Sequence, residues 1–283
     1  MSQFILSAFA DEISSDFRTQ MDVLDQHGIS YIEMRGVNGR NITEYTLEEA
    51  KLIKQQMDSR GFKLSSVGSP VGKISILDDF EPHLKLFKHT LDLAKLFESN
   101  YIRMFSFFIP KGEAPKKYRD EVLKRWSSFL QEAKGSGVTL LHENEKDIYG
   151  DTALRCLDLM QSLNCDNVKT VFDPANFVQC DELTYPYAYE LLEEYIAYVH
   201  IKDALSADHQ VVPAGHGDGH VKEILTALKK RGYEGFLSLE PHLGQFTGFA
   251  KLELNSVSEE SADNGPALFA IAADALKNIL KGI

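Results

Sequence analysis

The chain of 283 residues has little of what marks several protein classes. Its three cysteines, Cys156, Cys165 and Cys180, are odd in number and show no metal-knuckle or redox spacing. A disulfide framework is therefore not expected, and reduced thiols in the cytoplasm are. No apolar run reaches transmembrane length. The opening "MSQFILSAFADEI" lacks the basic start and small-residue cleavage site of a signal peptide. Positive charge is also scarce: 30 lysines and arginines face 42 aspartates and glutamates, a net charge of −12. A diffuse basic surface for nucleic acid or anionic membrane is thereby disfavoured. There is no G-x-G-x-x-G after the first strand and no P-loop spacing, which weakens a nucleotide-binding open sheet.

What the chain does contain is alternation. Short runs rich in branched and aromatic residues read as strands: "FILSAFA" (4–10), "ISYIEMR" (29–35), "FKLSSVG" (62–68), "YIRMFSFF" (101–108), "GVTLLHE" (137–143), "NVKTVFD" (167–173), "IAYVHIK" (196–202) and "GFLSLEP" (235–241). Between them lie segments with helical periodicity. Leu84, Phe87, Leu91, Ala94 and Phe97 recur every three or four residues, as do Val122, Trp126, Phe129 and Leu130 before Gly135 and Gly137. "VKEILTALKKRGY" and the closing "ALFAIAADALKNILKGI" continue the pattern, and no low-complexity linker divides it. Eight such repeats over roughly 250 residues have the rhythm of a (β/α)8 barrel, an α/β fold. Residues 1–283 are read as one barrel domain, with a doubly wound open sheet as the competing architecture.

Chemistry in such a barrel sits beyond the carboxyl ends of the strands. The last four strands end on Glu143, Asp173, His200 and Glu240 at nearly equal depth. Converging carboxylates repel and desolvate one another unless a cation compensates them. One divalent ion would do so, and mixed oxygen and nitrogen donors suit Mn²⁺, Co²⁺, Zn²⁺ or Mg²⁺ without choosing among them; Mn²⁺ or Zn²⁺ is the expectation. Each acid taken singly has a plainer reading as a helix N-cap or turn former, and His200 as a core histidine. Four at equivalent strand ends favour the metal.

Other residues gather by parity. Lys202 shares the face of His200 and should point into the mouth, to hold a substrate oxygen or to pair with a site carboxylate. Glu33 and Arg35 share a face of strand two. Arg35 is a candidate clamp for a carboxylate or phosphate with Glu33 as its partner, or the two form a structural ion pair. Arg103 lies too early in its strand to be favoured. "GSPVGK" (68–73) could bring Lys73 over the mouth, and "PAGHGDG" (213–219) could bring His216 there. Asp203 reads as a turn residue or an orienter. In "HENE", Glu143 faces the barrel by parity, while His142 and Asn144 face away.

The patterns "HENE", "FDPANF", "HIKDA" and "SLEPH", in this order, resemble the xylose-isomerase-like sugar phosphate isomerase/epimerase family of TIM barrels. The likeness spans nearly the whole chain. It implies a metal centre of Glu143, Asp173, His200 and Glu240, and a ketose or polyol substrate. Glu143 and Glu240 would exchange a proton beside the carbonyl through a metal-stabilised enediolate. A homodimer or homotetramer is implied as well. Asn176 departs from the pattern, because several epimerases and the apurinic endonucleases carry a histidine there. An amide can donate to a hydroxyl but cannot become cationic. A keto-polyol dehydratase of the inositol-pathway type is the alternative reading. An apurinic endonuclease and a non-catalytic sugar-binding barrel rank below it.

Overall fold

The computed structural model describes residues 3–244 and 264–283. Eight parallel strands close into a barrel: β1 (Gln3–Ala8), β2 (Tyr31–Met34), β3 (Lys63–Gly68), β4 (Tyr101–Met104), β5 (Thr139–Glu143), β6 (Val168–Phe172), β7 (Ile196–Ile201) and β8 (Glu234–Leu239). Each pairs with its sequence neighbours, and β1 closes the ring on β8 through six residue pairs. The open-sheet alternative is thereby excluded. Nine α-helices are found among the described residues: α1 (Phe17–Gln26), α2 (Leu47–Ser59), α3 (Glu81–Leu96), α4 (Arg119–Ala133), α5 (Ala153–Leu163), α6 (Pro174–Val178), α7 (Tyr189–Leu192), α8 (Val221–Arg231) and α9 (Gly265–Lys281). None is long and apolar enough to cross a membrane.

Local chemistry sets the helix starts. Asp16 caps α1 by accepting from Thr19 N, and Thr46 with Glu49 forms a capping box on α2. The helices bury one stripe each. Phe87 and Leu91 of α3 pack with Val122, Trp126 and Phe129 of α4 in the main core between helices and barrel.

A smaller cluster of Leu141, Val171 and Tyr198, joined by Tyr101 and Phe236, packs apart from that core. Two residues further along the same strands, on the same face, come Glu143, Asp173, His200, Arg103 and Ser238. The apolar cluster is therefore the floor on which the polar mouth is laid. Register shifts between Ile32 and Glu33 and between Thr170 and Val171 bend the chain shortly before two residues of the mouth.

The loops after β3, β4 and β5 are stitched together over one side of that mouth. Phe105 N donates to Val71 O, Phe107 N to Gly72 O, and Ile109 N to Asp147 O. Gly72 sits at φ +91°, where an added Cβ would lie 2.1 Å from Phe105 O, so only glycine fits. Its N–H donates to His83 Nε2 at 2.6 Å, which ties the loop to α3.

Burial, with Arg125 nearby, lowers the His83 pKa to about 4. Between the ordinary histidine range and that value the unfolded chain binds a proton that the folded chain refuses. Stability should therefore fall as pH drops through this window, by on the order of 2–3 kcal/mol from this group. Urea midpoints at pH 7 and pH 4.5 test it. The His83→Gln protein should lose that part of the slope, and an unaltered slope would contradict the assignment.

Candidate functional site

Glu143 ends β5, Asp173 follows β6, His200 lies in β7 and Glu240 follows β8. All four are at least nine-tenths buried. One donor atom from each lies within 4.8 Å of the others. His200 Nδ1 stands 3.1 Å from Glu143 Oε1, 3.3 Å from Glu240 Oε2 and 3.6 Å from Asp173 Oδ2. Three carboxylates around one imidazole, each offering an oxygen or nitrogen to a common point, form a donor set suited to a divalent cation. One buried oxygen that faces this group, Asp173 Oδ2, lacks a hydrogen-bond partner. Asp173 Oδ2 does have the Lys202 ammonium at 2.9 Å, so its charge is met although the bond angle is poor. These residues fit a metal ion.

Asp173 shows that the cap and ligand readings are compatible. Its Oδ1 accepts from Asn176 N at the start of α6, while Oδ2 faces the group. Asn144 turns away from the mouth and fixes Asp173 from behind, exchanging hydrogen bonds with its backbone N–H and C=O. His142, also facing outward, contacts Ser106 Oγ at 2.9 Å, and burial lowers its pKa to about 3.

The surrounding cations answer the concentrated negative charge. Lys202 Nζ lies 3.1 Å from Glu240 Oε2 as well as beside Asp173, on the face predicted by its parity with His200. Asn176 Nδ2 donates to Glu143 Oε1 at 3.2 Å and to Asn144 O. Lys73 reaches the mouth rim, 3.1 Å from Glu145 and 4.4 Å from the centre of the Phe105 ring. His242 stands 3.4 Å from Glu240 Oε1 and 3.3 Å from Glu12 Oε1.

Three expectations from the sequence need correction. Glu33 is not the partner of Arg35. It lies 3.1 Å from His200 Nε2, where it orients the imidazole from the side opposite the other acids. Arg35 instead grips Asp11 with two hydrogen bonds, and adds Glu12 and Glu240 Oε1 at 3.1 and 3.0 Å. The Arg35 guanidinium thus positions Glu240 rather than standing open as a clamp. Arg103 is not too early. It shares the inward face with Tyr101 below it and is 2% exposed. Its Nε reaches to 3.3 Å from Glu143 Oε2, and the guanidinium packs over Phe105 and Phe9. His216 is exposed and is not among the residues lining the mouth. The glycines beside it serve another purpose: the N–H groups of Gly215, Gly217 and Gly219 all donate to the Asp203 carboxylate. A Cβ on Gly217 or Gly219 would meet that carboxylate at 2.3 or 2.6 Å. Asp203 therefore orients the loop.

Charge and burial set the protonation states. Burial alone would raise the Glu143 carboxyl, but His200 and Arg103 outweigh it and bring the pKa to about 2. Burial of Glu240 is overcome in the same way by Lys202, His242 and His200, which hold its pKa well below the carboxylate range. Burial would discharge His200, yet Glu143, Glu33 and Glu240 push its pKa well above the ordinary value. The surrounding acids thus favour a proton on His200. A metal must displace that proton, so binding should release a proton and strengthen as pH rises. Calorimetric titration of Mn²⁺ in buffers of different ionisation enthalpy measures this directly. A heat independent of the buffer would contradict a protonated His200.

Among solved structures the fold has many likenesses. A probable 3-DHS dehydratase, AsbF, from Bacillus anthracis superposes with a TM-score of 0.74 at 17% identity, covering 98% of this chain and 99% of that one. The IolI protein with a bound zinc atom gives 0.74 at 16% identity, over 100% and 99%. An L-ribulose 3-epimerase gives 0.74 at 18% identity, over 100% and 95%. No curated protein matches the sequence. The profile of the xylose isomerase-like TIM barrel family matches residues 21–268. By that match, and by a closed barrel with this buried acid–histidine group at its mouth, the chain belongs to the xylose isomerase-like TIM barrel family.

Proposed function

We propose that this protein is a divalent-metal-dependent isomerase or epimerase acting on a small keto-sugar or related polyol by proton transfer beside a carbonyl. The observation that carries the reading is the pair Glu143 and Glu240. They meet at His200 but are backed by different neighbours, Arg103 and Asn176 for the first, Arg35, Lys202 and His242 for the second. A divalent ion held by Glu143, Asp173, His200 and Glu240 would supply Lewis acidity toward neighbouring substrate oxygens. Mn²⁺ or Zn²⁺ is the favoured choice. The L-ribulose 3-epimerase and the zinc-bound IolI protein, similar in fold, support the class of reaction and the class of cofactor.

The remaining chemistry belongs to the side chains. Both carboxyls are held in the charged form by the cations beside them, so either can accept a proton from carbon. Glu143 takes the proton from one face of the carbon, Glu240 delivers to the opposite face a proton it has drawn from water, and the proton on Glu143 then returns to water. Lys202, an ammonium anchored between Asp173 and Glu240, presents N–H groups to a substrate hydroxyl. Asn176 presents a neutral amide donor. Lys73 with Glu145 bounds the mouth on the side of the stitched loops. Three unpaired thiols fit a cytoplasmic setting.

Proton NMR in D₂O with a panel of ketoses (D-fructose, D-tagatose, L-ribulose) tests the reading. The metal-loaded protein should wash deuterium into the position beside the carbonyl and give a sugar isomer. Glu143→Gln and Glu240→Gln should each slow the exchange by roughly 100-fold or more. Unchanged exchange in both variants would sink the acid–base roles. Loss of water in place of isomer formation would identify the dehydratase instead.

A further inference from the structure

Two buried polar atoms in the mouth face each other without hydrogen-bond partners: Arg103 Nε and Glu143 Oε2, 3.3 Å apart. The separation is short enough for charge attraction, yet the N–H is not aimed at the oxygen. A buried donor and a buried acceptor each left unmade are costly, and evolved sites retain such pairs where a ligand completes them. The division within the Glu143 carboxylate is equally telling. Oε1 is engaged with His200 and the Asn176 amide, so it is the oxygen turned to the metal-binding group. Oε2 is turned the other way, to Arg103.

The guanidinium is held in place without using up its donors. Its central carbon lies 4.6 Å from the Phe105 ring centre and 5.3 Å from that of Phe9, a cation between two aromatic plates. Phe9 itself meets His200 edge-on at 5.2 Å, so the plate is part of the same floor. The nearest other carboxylate, Glu33, lies at 3.9 Å and is committed to His200. Arg35 and Lys202, by contrast, are each tied to two or more carboxylates.

An acceptor and a donor set side by side complement one particular substrate edge, a carbon-bound hydrogen next to a carbonyl oxygen. We infer that Arg103 is a catalytic residue that receives the negative charge forming on the substrate oxygen as Glu143 Oε2 takes the neighbouring proton. The inference rests on the isomerase reading for the identity of the base. In the step, the C–H bond breaks and its proton goes to Oε2. The C–H electron pair becomes the new C=C bond, and the carbonyl π pair moves onto oxygen. Arg103 Nε–H then donates to that oxygen, and return of a proton to carbon reverses the shift. No oxidant or second substrate is consumed. The stacking explains the choice of residue: a planar guanidinium packs against the Phe105 and Phe9 rings where an ammonium would lose its hydration.

Oxalate, a planar anion with adjacent oxygens, serves as the probe for the charged intermediate, bound to Mn²⁺-loaded protein and followed by calorimetry. Arg103→Met should weaken oxalate binding by roughly 10- to 100-fold, the worth of one charge-assisted hydrogen bond. Metal stoichiometry under saturating Mn²⁺, measured in parallel, should stay at the wild-type value. Arg103→Lys, which keeps the charge and loses the planar donor, should fall between, and it decides the matter should the methionine variant fail to fold. Wild-type protein that does not bind oxalate, or variants within 3-fold of it, would overturn the role of Arg103. Oxalate binding that depends on Arg103 with no ketose exchange would leave the anion site standing and remove the isomerase reading. Loss of metal in Arg103→Lys would show that the residue supports the centre rather than the substrate.

Discussion

Three carboxylates, Glu143, Asp173 and Glu240, share with one imidazole a space a few ångströms wide, almost out of reach of water. Left uncompensated, charges so placed would shift toward neutrality or drive the strands apart. The mouth is built to pay this cost. His200 sits at the centre, and its far nitrogen is met by a fourth acid, Glu33. Lys202 spans Asp173 and Glu240, Arg35 draws Glu240 toward Asp11, and Arg103 backs Glu143. The cations keep the acids charged, and charged acids are what both a metal and a carbon-bound proton require.

The barrel supplies the convergence. Period-two alternation places Leu141, Val171 and Tyr198 inside the ring, and two residues on, the same faces deliver Glu143, Asp173 and His200. The apolar floor gives these polar residues a dry base, which strengthens every ion pair above it. The stitched loops over β3, β4 and β5 fix the other wall and carry Phe105, Lys73 and Glu145. Function here depends on the fold through register: a slip of one residue in β5 would put His142 in the mouth and Glu143 among the helices.

That dependence also marks how far the sequence could be read. Strand ends and parity suffice to find the three acids and the histidine, because both are local properties of a run of five or six residues. They also place Lys202 correctly. Parity names a face but not a neighbour around the ring, so it put Glu33 and Arg35 together although they reach in different directions. Arg103 escapes a reading by strand position alone, because position carries no side-chain length, and an arginine low in a short strand still reaches the mouth. The glycines of "PAGHGDG" did signal special backbone, but the reason lay in Asp203, twelve to sixteen residues earlier in the chain, whose carboxylate gathers three of their N–H groups. Such a long-range hydrogen-bond partner leaves no periodic trace, and it left His216 outside the mouth it was expected to enter.

The central claim is that Glu143, Asp173, His200 and Glu240 together hold a divalent ion. Elemental analysis of protein loaded with Mn²⁺ or Zn²⁺ and then dialysed measures it most directly. One ion per chain is predicted for the wild type, with the ion lost in Asp173→Asn and in His200→Asn. A wild-type protein that retains no metal after any loading, or variants that retain it at full stoichiometry, would contradict the claim.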